Sequence, residues 1–279
     1  MSDAEPKSPS FRNLDQFLPI VSVEVGALTG QWINIAETAQ GWTSLQVTEG
    51  QESWSLECHL AGGSTVSFNA VNCFGGINGP ALTAISSVAH DQHGSEIRLQ
   101  GNFNLGLLVL ASFKTPADGT VGYFSREFFA FSNPLDLKDA TPIQNASQNT
   151  GLFGYSGAVT PPDVSTLLGR WRNTDIAAPG LERILISEEG ANITAQAFGA
   201  PLSSDAPAVD WGTTQVDIFA CLDETGKSSI AALASWQLGP LTATLQIRPV
   251  GGAIAIAGFN RFSDGRMGYS TREFFYQYS

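Results

Sequence analysis

Charge is scarce in this chain: Asp, Glu, Lys and Arg make up 14% of 279 residues, against roughly a quarter in an average soluble protein. Charged amphipathic helices are therefore not its main building block, and helical periodicity is nearly absent. Basic residues are the scarcer sign, 14 against 26 acidic, leaving a net charge of −12. With no Lys/Arg cluster to offset that field, nucleic acid is excluded as a partner and an anionic membrane surface is disfavoured. The three cysteines, Cys58, Cys73 and Cys221, show no CxxC spacing, so neither a disulfide framework nor a zinc site is expected. No apolar run approaches the ~18 residues of a membrane span, and the polar, acidic start lacks the blocks of a secretory signal. The expectation is a cytoplasmic protein without a membrane segment. There is no Gly-x-Ser-x-Gly elbow and no phosphate-cradling Gly-Lys-Ser/Thr. His90 and His93 sit at a turn signal, so no metal and no cofactor are expected.

What the chain does have is a duplication. Residues 107–129 and 253–275 agree at ten of 23 positions without a gap, including Asp118/Asp264, Gly122/Gly268, Tyr123/Tyr269, Arg126/Arg272 and Glu127/Glu273. Unrelated segments would share one or two, so the chain is a tandem of two homologous units. The reading is an extended leader over 1–25, a first unit over 26–132, a Pro/Gly/Asn/Ser-rich linker over 133–166 and a second unit over 167–279. The second unit reads as eight strand-like runs near 168–174, 181–188, 192–199, 214–222, 229–237, 241–248, 253–261 and 268–278. They are separated by turn signals such as Pro179-Gly180, Gly239-Pro240 and Asp264-Gly265. Eight short strands in a unit of this size predict an all-β fold of two tandem eight-stranded up-and-down antiparallel β-barrels.

Each unit opens with the same phrase, Leu-x-Gly-x-Trp-x-Asn, at Leu28 to Asn34 and Leu167 to Asn173, and closes with Arg126 or Arg272 inside Arg-Glu-Phe-Phe. Here the chain resembles the calycin superfamily, the lipocalins and avidins, whose barrels begin with Gly-x-Trp and carry a basic residue on the last strand. The resemblance implies that Arg126 lies across Trp32, and Arg272 across Trp171, closing each barrel through a cation–π contact. It is nearer to the avidins at the first strand. There the family holds biotin with the Asn and a Ser or Thr four positions on. Asn34 and Thr38 match that spacing, whereas the second unit has Asn173 but Ala177. The family's later ligand residues have no counterpart, so neither subfamily is assigned.

The aromatics that are not duplicated mark where the two interiors differ. Trp42 and Trp54 have no Trp counterpart in the second unit, and Trp211 and Trp236 none in the first. With Asn34 and Asn173 they form the candidate ligand-contacting set, and aromatic walls with few polar groups suit a small apolar or aromatic molecule. The expected function is binding of such a molecule inside one or both barrel cavities. The alternative is a cofactor-independent barrel enzyme that cyclises or isomerises a polyene- or polyketide-like natural product by orientation, with an interior carboxylate or Tyr as acid.

Overall fold

The computed structural model describes residues 22–26, 28–36, 41–50, 53–77, 79–132, 162–190, 192–201, 206–222 and 228–279. Nearly all of the leader and of the linker, and Thr38, lie outside them. The described chain is all-β, seventeen strands without a helix. It therefore contains no helix long and apolar enough to cross a membrane.

The first nine strands are β1 (Gly30–Asn34), β2 (Trp42–Glu49), β3 (Trp54–Leu60), β4 (Thr65–Phe68), β5 (Val71–Gly76), β6 (Gly79–His90), β7 (Glu96–Asn104), β8 (Leu107–Thr115) and β9 (Gly122–Ser132). Eight follow in the second half: β10 (Gly169–Asn173), β11 (Leu181–Glu189), β12 (Asn192–Gly199), β13 (Val209–Leu222), β14 (Ser228–Leu238), β15 (Leu241–Val250), β16 (Ala253–Phe262) and β17 (Tyr269–Gln277). The eight runs read from the sequence of the second unit fall on β10 to β17. Only β13 differs notably, beginning five residues before the expected start at 214.

Consecutive strands from β10 to β17 pair antiparallel, and β17 pairs back on β10 with Asn173 opposite Phe275. The result is a ring of eight. β13 belongs to two ladders, since residues 209–215 pair with β12 and 216–222 with β14. The first half repeats this plan with the long strand interrupted. β4 pairs with β3, β5 pairs with β6, and the Ser87 hydroxyl donates to the Ala70 carbonyl at the break. β9 returns to β1 with Asn34 opposite Phe129.

Side chains alternate across each strand, and the two faces have different neighbours. Leu99, Leu108, Leu110, Phe129 and Trp42 point into the first ring; Ile184, Ala195, Trp236, Ile256 and Phe275 point into the second. β8 and β16 are buried along almost their whole length. Their outward faces pack against the other half, which explains the continuous apolar and small residues of the duplicated segments.

The two halves join about an approximate twofold axis. The start of β9 pairs in parallel with β13, Gly122 opposite Phe219 and Ala220 opposite Tyr123. The start of β17 pairs in parallel with β5, Tyr269 opposite Gly75, and the Gly75 N–H donates to the Gly268 carbonyl at 2.9 Å. Matching edge-to-face aromatic pairs flank the seam: Phe113 with Phe219 at 5.0 Å, and Phe74 with Phe259 at 5.5 Å. The duplicated Gly122 and Gly268 are glycine because a Cβ there would stand 2.7 Å and 3.2 Å from the rings of Phe219 and Phe74. An interface in which each half offers the same patch to the other is that of a homodimer, here made within one chain.

Candidate functional site

The shared opening phrase builds the same local structure twice. The Trp32 indole N–H donates to the Leu28 carbonyl at 3.0 Å, and that of Trp171 to the Leu167 carbonyl at 2.8 Å. Between them Gly30 and Gly169 take φ of 131° and 129°, a region that disfavours any side chain. Asn34 donates to the Trp42 carbonyl at 2.7 Å and accepts from the Ala36 N–H at 2.9 Å. Asn173 does the same with the Leu181 carbonyl and the Asp175 N–H, both at 2.9 Å. The amides of both asparagines thus tie the end of the first strand of each ring to the start of the second.

The expected Trp–Arg contacts are not brought together. Trp32 packs edge-on against Phe103 and Phe131, on the inner face of its ring. Arg126 is one residue from Glu127, and Glu127 points inward to Asn34. Period-two alternation therefore turns the Arg126 guanidinium outward, where it lies over Phe128 at 4.5 Å. Arg272 stands in the same outward register beside inward Glu273, away from Trp171.

The remaining aromatics are dispersed. Trp42 is fully buried in the first ring and donates its indole N–H to the Ser112 hydroxyl at 2.7 Å. Trp54 is half-buried and packs against the same core. Trp211 and Trp236 meet edge-on at 6.0 Å in the second ring. Trp236 donates to the Gly212 carbonyl at 2.9 Å, whereas the buried Trp211 N–H has no acceptor.

The inner polar groups of the first ring gather on β9. Glu127 Oε1 accepts from the Trp42 backbone N–H at 3.1 Å and from the Asn34 amide at 3.4 Å. Its Oε2 is shut off from solvent without a partner, as is the hydroxyl of Ser125 two residues earlier on the same face. Burial pushes the Glu127 carboxyl up to about 7, against the two hydrogen bonds that hold it down. Burial, and the Glu127 charge after it, push the Cys58 thiol well up. Glu273 is also raised by burial, with Asn173 hydrogen-bonding it. The sequence signal for Glu127 was its duplication, which by itself reads as framework.

Two cavities lie between the halves rather than inside a ring. The larger, of about 260 Å³, has Phe113, Phe219 and Leu233 as apolar lining and Asp217, Arg98 and Ser235 among its polar residues. Arg98 is held by Glu96 at 3.0 Å, and burial raises the Asp217 carboxyl. The smaller, of about 30 Å³, sits on the twofold axis and is lined by Arg126, Arg248 and Arg272 with Asn102, Gln246 and small residues of β8 and β16. Neither cavity contains a tryptophan. No protein-family model matches the chain, and no curated protein matches it.

Proposed function

We propose that the chain is a small-molecule binding protein built as two calycin-like barrels back to back, and that its ligand has a mostly apolar body. The observation that supports this is the 260 Å³ cavity between the rings, close to the ~300 Å³ lower end of ligand sites, with an aromatic wall and a few polar groups. Phe113 and Phe219 would take the apolar body, while Asp217 and Ser235 at its margin select one polar substituent. The free thiols of Cys58 and Cys73 fit a reducing, cytoplasmic setting.

A second reading rests on Glu127. A carboxyl with a pKa of about 7 inside a ring is protonated and ionised in comparable amounts near neutrality, as a general acid requires. With the unpaired Ser125 hydroxyl beside it, this group would serve a cofactor-independent cyclisation or isomerisation in the first ring.

Native mass spectrometry of freshly purified protein tests both. A co-purifying organic molecule lost from Ser235→Trp, which fills the cleft from its exposed rim, supports the seam site. Loss from Glu127→Gln but not from Ser235→Trp moves the ligand into the ring. Retention by both variants overturns both placements.

A further inference from the structure

We propose that the small axial cavity binds one oxyanion of phosphate type, bridging the two halves of the chain. Three guanidinium-bearing side chains from three strands line it: Arg126 of β9, Arg248 of β15 and Arg272 of β17. Arg126 and Arg248 are half-buried and Arg272 is exposed. Among the described residues no carboxylate pairs with Arg126 or Arg272; Arg126 has only the Phe128 ring beneath it. The neighbours support this reading, since burial first, then Arg248 and Arg272, pull the Arg126 pKa down to about 10.

Each guanidinium carries five N–H donors and no acceptor. The other polar lining residues are the side-chain amides of Asn102 and Gln246. The wall is otherwise Val109, Ala111, Ala255, Ile256 and Ala257. Cations converging on a small apolar-walled space are the arrangement that recognises a compact, multiply charged oxygen anion, because planar guanidinium forks match its edges. A volume of about 30 Å³ takes two or three water-sized groups, at roughly 10–15 Å³ each, which suits the oxygens on one face of such an anion and leaves no room for an aromatic or acyl body. The anion is therefore either free or the head of a molecule whose remainder stays in solvent.

The test is inorganic phosphate titrated into the full chain at constant ionic strength with chloride as the balancing ion. It is followed by calorimetry and by ³¹P line broadening. Saturable phosphate binding is expected, at least tenfold weaker in Arg126→Gln and in Arg272→Gln and unchanged in Arg266→Gln, whose guanidinium belongs to the Asp264 turn. In chloride alone Arg126→Gln should melt no lower than the unsubstituted protein, because a repelling cation has gone. If Arg126→Gln does not fold, Arg272→Gln and the titration of the unsubstituted chain carry the test. Phenyl phosphate binding as well as phosphate identifies a head group, and failure of phenyl phosphate with retention of phosphate identifies the free ion. Absence of saturable binding over chloride, equal binding by both seam variants, or equal loss in Arg266→Gln overturns the proposal.

Discussion

Glu127 accepts the backbone N–H of Trp42 at 3.1 Å across 85 residues of sequence. This bond fixes the start of β2 to the last strand of the ring and holds an acidic group where water cannot reach its second oxygen. The folded-state pKa is about 7 against an ordinary 4.5, so between those values the folded chain keeps a proton that the unfolded chain has lost. Stability therefore falls as pH rises through this window, and is flat with respect to Glu127 above and below it. The size is about 3 kcal/mol at most for a shift of this order. Glu273, raised by burial in the same direction, adds to the slope. Urea unfolding from pH 4.5 to 8 should show the decline. In Glu127→Gln it should be clearly shallower, and the variant more stable than the unsubstituted protein at pH 8; an unchanged slope refutes the assignment.

Substitution at the seam tests the twofold packing. A Cβ on Gly122 would stand 2.7 Å from Phe219 Cδ1 and 3.0 Å from the Lys114 carbonyl oxygen. Gly122→Ala should cost about 1–3 kcal/mol, as overpacking of a dense contact does. Gly268→Ala, with nearest approaches of 3.0 and 3.2 Å, should cost less. Equal stability of Gly122→Ala and the unsubstituted chain in equilibrium unfolding would contradict this contact.

Asn173 is 2% exposed and makes two hydrogen bonds of 2.9 Å that close the loop between β10 and β11. Asn173→Ala leaves the Leu181 carbonyl without this donor and should lose about 2–3 kcal/mol, from the lost bonds and the desolvated acceptor together. Asn34→Ala should lose less, because its surroundings are more exposed. Thermal melting of the two variants side by side checks the order.

Thiol labelling reports on ring closure. The buried Cys58 has its pKa raised by desolvation and by Glu127, and the half-buried Cys73 is raised to about 11 by burial. The thiolate is the reactive form, so at pH 8 both should label only slowly in the native protein, Cys58 more slowly than Cys73. Mass-spectrometric mapping after alkylation reads each site separately, and rapid native labelling of Cys58 would show that the first ring opens.

Much of this was written locally in the sequence. Strand positions followed from alternation and from turns whose chemistry is explicit: Gly119 and Gly265 take φ of 75° and 87°, and Asp118 accepts the Thr120 N–H at 3.0 Å. The Leu-x-Gly-x-Trp-x-Asn phrase was visible because all its bonds lie within a few residues or in the next strand. Facing was harder. Arg126 and Glu127 are adjacent, and which of them enters the ring depends on the register of β9 with β1, a contact some hundred positions away. The resemblance placed the arginine on the indole; the register puts the carboxylate inside. The seam was hardest to see, since nothing in one unit states that its outer face meets a copy of itself. The only local hint was the continuous apolar character of β8 and β16, buried on both faces where one-sided strands would have alternated.

The twofold seam within one polypeptide has a consequence for anything that sits on its axis. Two separate copies of a single unit would present such a guest with two orientations of equal energy, related by rotation. Here the matched positions hold Asn102 on β7 and Arg248 on β15, so the field along the axis is lopsided and the two poses are no longer degenerate. Fusion has turned a symmetric cleft into a polar one, and each side is free to change without its image changing too.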